Sequence, residues 1–302
     1  MIEKEMVERI KKLKEEKNAI ILAHNYVTLD VQDVADFVGD SLQLSIEASK
    51  AKADVIVFCG VRFMAETAKI LSPKIKVLLP VEDAGCPMAD MIDGNQLEQF
   101  KQNHPQATVI CYVNSTAEVK AGSDICCTSS NAVKIIESLP KDEKILFVPD
   151  QNLGTYAAHQ TRRNITVWDG YCCVHHIKMT PDDVKRVKRE NKGYKLLVHP
   201  ECPTSIVKSA DIVGSTKGMA DYAKEHDNLI IGTEVGLYEQ IKRDNPGKNI
   251  VPLAEKAICN NMKKIFLPDV LRCLEEDTYE VTLPEELRIA AKRSIDKMLS
   301  LS

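Results

Sequence analysis

Short apolar runs alternate along this chain with longer stretches in which apolar residues recur every three or four positions. Ala19-Ile20-Ile21-Leu22-Ala23, Asp54-Val55-Ile56-Val57-Phe58-Cys59 and Lys76-Val77-Leu78-Leu79-Pro80 are unbroken apolar runs of the kind that a strand buried on both faces requires. Between them, 33–37, a segment running from Gly39-Asp40-Ser41 to 49, and 64–71 read as helices. Thr108-Val109-Ile110-Cys111-Tyr112-Val113-Asn114 begins the same order again, with a helix opened by residues 124–131, a strand at 144–150, a helix at 154–160 and a strand at 165–168. After a charged segment at 182–193 comes a third pass: a strand at 195–198 ending in His199-Pro200-Glu201, a helix entered at 214–219, a strand at 229–234, a helix at 236–243 and a strand at 249–253. An amphipathic helix over 2–17, with Ile2, Met6, Val7, Ile10 and Leu13 on one stripe, precedes the first pass. A helix from Pro284 onward, carrying Leu287, Ile289, Ala290, Ile295 and Met298, follows the last and is expected to pack on the outside.

Strands alternating with helices predict parallel sheets covered on both faces, and the landmarks keep one period. His24, Tyr112 and His199 are 88 and 87 residues apart; Ser41, Ser129 and Ser215 are 88 and 86 apart; Cys86, Cys172 and Cys259 are 86 and 87 apart. Three features at one spacing argue for triplication of a single α/β unit. The expected fold is therefore three homologous three-layer α/β/α domains, 1–104, 105–190 and 191–302, set with pseudo-three-fold symmetry around a central site. Ligands of parallel α/β units gather beyond the carboxyl ends of the strands. That directs attention to His24, Asn25 and Tyr26, to Tyr112 and Asn114, and to His199 and Glu201, which are proton-moving and hydrogen-bonding residue types. The plainer alternative is that such residues only bond loop backbone.

Composition removes whole classes of function. A net charge of -4 with dispersed Lys and Arg gives no electrostatic footprint for nucleic acid or an anionic membrane. The apolar runs are far short of a membrane span and the first residues contain no signal-like apolar core, so the chain reads as cytoplasmic. Ten cysteines in a reducing compartment point to metal binding or catalysis rather than disulfides. There is no Cys-x-x-Cys, so any metal ligands come from distant parts of the chain.

Ser41, Ser129 and Ser215, with Thr216 beside the last, stand where helices should begin. A hydroxyl there is ordinarily an N-cap, yet three helix starts facing one cavity would also offer backbone N–H groups to a phosphate or carboxylate. Cys59, Cys111, Cys126, Cys127 and Cys202 fall mostly in apolar stretches and read as core. Cys86, Cys172 and Cys259 fall on loops at a common place in the repeat. Their thiolates suit either zinc with an open fourth position or an iron-sulfur cluster with one iron free.

With these stretches assembled, the chain resembles the quinolinate synthase family. The resemblance runs through Ala23-His24-Asn25-Tyr26, Gly39-Asp40-Ser41, residues 60–69, Ala84-Gly85-Cys86-Pro87-Met88-Ala89, Tyr112-Val113-Asn114, residues 127–132, Gly170-Tyr171-Cys172 through His175, His199-Pro200-Glu201-Cys202, Gly214-Ser215-Thr216 and Cys259-Asn260-Asn261-Met262. It implies a 4Fe-4S cluster held by Cys86, Cys172 and Cys259 with one open iron, Cys172 being chosen over its neighbour Cys173 by the Gly-x-Cys-x-Val-His pattern. It implies condensation of iminoaspartate with dihydroxyacetone phosphate to quinolinate, with loss of phosphate and water, in NAD biosynthesis. An aspartate oxidase or dehydrogenase would supply the imine. His24, Tyr26, His199 and Glu201 would move protons, and Tyr112, Asn114, Ser129, Ser215 and Thr216, with Asp40 and Ser41 nearby, would orient carboxylates and phosphate. Some members carry a Cys-x-x-Cys-x-x-Cys redox switch near the C-terminus; Met262 takes the middle place here, and that regulation is not expected. The competing readings are another iron-sulfur hydro-lyase acting on a small acid, a cluster-based redox sensor without a substrate, and a zinc scaffold.

Overall fold

The computed structural model describes residues 2–302, with side-chain burial from Lys4 onward. Met1 and the expected core place of Ile2 lie outside the described residues. Among the described residues, twelve strands form three four-stranded sheets. The first holds β1 (Ala19–His24), β2 (Phe37–Gly39), β3 (Val55–Cys59) and β4 (Lys76–Leu78); the second β5 (Thr108–Tyr112), β6 (Ile125–Cys127), β7 (Ile145–Val148) and β8 (Ile165–Val167); the third β9 (Lys195–Val198), β10 (Ile212–Val213), β11 (Asn228–Gly232) and β12 (Asn249–Pro252). All pairings within them are parallel. The spatial orders are β2-β1-β3-β4, β6-β5-β7-β8 and β10-β9-β11-β12, one topology used three times. Helices cover both faces, giving three α/β/α layers per unit.

Burial explains the unbroken apolar runs. Every residue of β3 and of β7 is buried. In the third sheet Leu196, Val198 and Ile230 belong to the core on one face, and Leu197, Leu229 and Ile231 to the core on the other, as the two-residue period of a strand requires.

The strands β2, β6 and β10 are not apparent in the hydrophobic pattern because, unlike the similarly short β4 and β8, they lie inside or directly before stretches that read as the start of a helix. The helix expected at 33–37 lies instead at Leu29–Val34, and Phe37 already belongs to β2. Likewise the expected helix opening at 124–131 is β6 and a turn, with the helix confined to Ala132–Glu137. A clearer signal was present. Asp36, Asp124 and Asp211, 88 and 87 residues apart, each accept the backbone N–H of the neighbouring central strand, from Ile21 at 2.7 Å, Val109 at 2.8 Å and Leu196 at 2.9 Å. Each aspartate fixes where its edge strand begins. The helix Gly94–Gln102, also unanticipated, buries only Leu97 and so carries no stripe to read.

The last part of the chain returns across the earlier units. Helix Leu267–Glu276 packs on helix Ile2–Glu16 and adds Val270, Cys273 and Leu274 to the first core. Helix Glu285–Leu301 lies against β6 and helix Ala117–Ala121, adding Ala291, Ile295 and Met298 to the second. Among the described residues no helix is long and apolar enough to cross a membrane.

Candidate active site and metal centre

The central strands β1, β5 and β9 end at one cavity of about 390 Å³. His24 is the last residue of β1, Tyr112 the last of β5, and His199 the first beyond β9. Two residues further on, Tyr26, Asn114 and Glu201 reach the same space. The residues singled out from sequence line this cavity except Asn25, whose side chain donates to Thr216, and Ser215. Its hydroxyl accepts the Gly218 N–H and caps helix Thr216–Glu225.

Of the three serines expected at helix starts, only Ser215 is a cap. Asp40 takes that role ahead of Ser41, accepting the Gln43 N–H on one carboxylate oxygen and the Ser130 hydroxyl on the other. Ser129 lies in the turn after β6, where its hydroxyl is 3.1 Å from His199 Nε2.

His24 and His199 are built alike. The backbone N–H two residues on, of Tyr26 and of Glu201, donates to Nδ1 at 3.2 and 3.3 Å. With Nδ1 an acceptor, the neutral ring carries its proton on Nε2 and offers a donor to the cavity. Burial is the largest effect on both imidazoles and pushes each down to about 3, against the opposing pull of Glu201. Both rings should therefore remain neutral from pH 5 to 8, and ring C2–H shifts of the metal-free protein should show no titration of either in that range. A midpoint near 6.5 for either ring would contradict this geometry.

Glu201 is the negative centre. Burial raises its carboxyl, but His175, His199 and hydrogen bonds from His175 and Tyr112 outweigh that and hold it below the usual carboxylate range. His175 Nδ1 is 2.6 Å from Glu201 Oε2 and 3.2 Å from Cys172 Sγ, while its Nε2 is 2.9 Å from Thr233 Oγ1. Thr233 Oγ1 is in turn 2.7 Å from the Tyr26 hydroxyl. Burial first, and Glu201 second, keep the Tyr26 phenol protonated. The result is a continuous line from Tyr26 through Thr233 and His175 to Glu201, along which a proton lost at the tyrosine can be replaced. Sequence reasoning passed over His175 and Thr233. His175 follows Cys172 by three residues, and Thr233 stands at a strand end like the residues it did select.

Cys86 packs between the first and second cores, Cys172 between the second and third, and Cys259 between the first and third. Burial raises all three thiols, Cys86 to about 12, and the sulfurs act on one another, Cys172 feeling both Cys86 and Cys259. Three half-buried thiols held protonated at one cavity are a fit for a cation that displaces their protons. Among the described residues the set of three donor atoms within 4.8 Å of one another is Cys172, His175 and Glu201, rather than the three cysteines. Hydrogen bonds from His175 account for that closeness. A single zinc with Zn–S bonds of about 2.3 Å would draw three sulfurs to about 3.8 Å from each other, so the wider cysteine set suits a larger group. Cys173 also lines the cavity, but it begins helix Cys173–Ile177.

The family model described as quinolinate synthetase A protein matches residues 8–300. The chain belongs to the quinolinate synthetase A family. It is similar to the quinolinate synthase of Alkaliphilus metalliredigens (strain QYMF), 50% identical over 304 residues and the whole of both chains. It is 51% identical over 293 residues to that of Dehalococcoides mccartyi (strain CBDB1), with 96% of each chain covered, and 49% identical over 296 residues to that of Methanoregula boonei, with 97% of each covered. A likeness to the E-1-hydroxy-2-methyl-but-2-enyl-4-diphosphate reductase of Plasmodium falciparum, covering 91% of this chain and 94% of that one at TM-score 0.37 and 14% identity, is too remote to carry an argument. Quinolinate synthases use an iron-sulfur cluster, and the half-buried cysteines here are of the right chemistry for one.

The approach of Cys172 to the cavity depends on Gly170. A Cβ there would meet the Pro149 carbonyl oxygen at 2.4 Å, while the Gly170 carbonyl accepts the Gln151 N–H at 2.8 Å. Gly170→Ala should therefore lower unfolding stability by about 1–3 kcal/mol, seen as a lower urea midpoint. An unchanged midpoint would mean that the loop has room to move.

Proposed function

We propose that this chain condenses iminoaspartate with dihydroxyacetone phosphate to quinolinate, the pyridine ring precursor in NAD biosynthesis. Atom balance requires loss of one phosphate and two waters, with no net oxidation. The observation that carries the reading is the convergence, on one cavity, of strand-end acid-base residues and a thiol from each of three homologous units. The division into 1–104, 105–190 and 191–302 belongs to this reading; the thrice-repeated strand order supports three units, while residues 174–187 pack in the third core and the helices from Leu267 onward pack on the first two. Ten free cysteines suit a reducing, cytoplasmic setting.

Cys86, Cys172 and Cys259 would hold a 4Fe-4S cluster. When bound, it supplies an open iron able to act as a Lewis acid in the loss of water without electron transfer. The remaining work falls to the chain itself. Neutral His24 and His199 donate from Nε2 to substrate oxygens. Anionic Glu201 holds His175 and balances the positive charge that builds there during proton movement, and Tyr26 delivers a proton while Thr233 and His175 restore it. The buried Asn114 Oδ1 has no partner and is left to accept an N–H of the imine or enamine. Thr216 Oγ1 accepts from Asn25 Nδ2 at 3.0 Å, so its own hydroxyl proton is available to phosphate, together with the hydroxyls of Ser41 and Ser129 and the N-terminus of helix Thr216–Glu225. Lys178 is the one lysine or arginine lining the cavity among the described residues, so neutral donors bear most of the anion binding. The imine hydrolyses readily and must be supplied by an enzyme that oxidises aspartate.

The test is an anaerobic assay of the iron-reconstituted protein for quinolinate and inorganic phosphate. Equal amounts of the two are expected. Product formed from a small acid without phosphate release would favour a different hydro-lyase.

A further inference from the structure

Two fully buried carboxylates beside the cavity do more than cap helices. Asp150 and Glu234 hold the same place in the second and third units, two residues beyond β7 and β11, and each is the N-cap of the helix that follows, Gln151–Thr161 and Val235–Asp244. Both are 0% exposed, and each divides its two oxygens between tasks. Asp150 Oδ1 accepts the Leu153 N–H at 2.7 Å, and Oδ2 accepts the Cys172 N–H at 3.2 Å. Glu234 Oε2 accepts the Gly236 N–H at 2.6 Å and lies 3.4 Å from Lys263 Nζ, while Oε1 accepts the Cys259 N–H at 2.9 Å. Capping needs one acceptor, which a hydroxyl supplies without burying a carboxyl group, as Ser215 and Thr180 do in this chain. The second oxygen is accounted for by the cysteine.

The first unit makes the contrast. Its equivalent N-cap is Val61, which has no polar side chain, and the loop carrying Cys86 is tied by backbone alone at that point, Arg62 N–H to Ala84 C=O at 2.8 Å. Glu234 also reaches between units, because Lys263 Nζ donates to the Tyr26 carbonyl at 2.6 Å.

We propose that Asp150 and Glu234 are positioning residues for the cofactor: each pins the main chain of one ligating cysteine, so that Cys172 and Cys259 meet the iron-sulfur group at a fixed spacing and release it slowly. This rests on the reading that the three cysteines hold such a group. Asp150→Ser keeps a capping oxygen and removes the second acceptor. Glu234→Gln keeps size and one acceptor but turns a donor toward an N–H. After anaerobic reconstitution, iron release to a ferrous chelator should be about 10- to 100-fold faster in each than in the unaltered protein. Ile295→Ala, which weakens the second core where the closing helix packs on β6, should release iron at the unaltered rate although it unfolds more easily. If Asp150→Ser does not fold, Asp150→Asn takes its place. Release within twofold of the unaltered protein in both carboxylate variants, or equally fast release from Ile295→Ala, overturns the proposal. If the unaltered protein takes up no iron, the cluster reading fails first and this inference with it.

Discussion

Serine in place of Cys86, Cys172 or Cys259, one at a time, is expected to reduce iron uptake to background and to abolish quinolinate formation in all three proteins. Each sulfur comes from a different unit and sits at the seam between two cores, so none has a neighbour in sequence able to replace it, with the partial exception of Cys172. Serine is nearly the same size, which leaves the seams packed, but its hydroxyl is a hard, weakly acidic donor where iron and sulfide favour a soft thiolate. The measurement is iron per chain and visible absorption after anaerobic reconstitution, with Cys202→Ser as a control because Cys202 is buried in the third core. A full cluster retained in any one of the three variants would remove that cysteine from the set. If Cys173→Ser loses the cluster while Cys172→Ser keeps it, the ligand moves by one residue.

Tyr26→Phe should do the opposite, preserving cluster absorption while lowering turnover about 10²- to 10⁴-fold, the range expected when a positioned proton donor is removed. The ring still fills its place, and only the hydroxyl 2.7 Å from Thr233 is lost. The line to His175 and Glu201 then has nothing to feed. Turnover within threefold of the unaltered enzyme would remove Tyr26 from the chemistry, and a parallel loss of iron would show that its role is in holding the site together.

Much of this was legible before any coordinates. The period shared by His24, Tyr112 and His199 is a property of residue identity at strand ends, and duplicated units keep strand ends in register. What stayed hidden was of two kinds. The short strands β2, β6 and β10 lie inside or directly before stretches that read as helix starts, so only their aspartates remain as a trace. His175 and Thr233 were missed because their importance comes from whom they meet: a histidine inside a five-residue helix and a threonine 58 positions later touch only once the second and third units are packed. Asp150 and Glu234 were equally silent, since an acidic residue before a helix looks like a cap until its second oxygen is followed to a cysteine.

The return of the closing helices has a consequence for biosynthesis. Ala291, Ile295 and Met298 finish a core whose strands were made well over a hundred residues earlier, so on the ribosome the middle sheet keeps an oily flank uncovered until translation has passed residue 301. A nascent chain stalled anywhere before that point would expose this flank to chaperones, and productive loading with iron would have to wait until helix Glu285–Leu301 has been made.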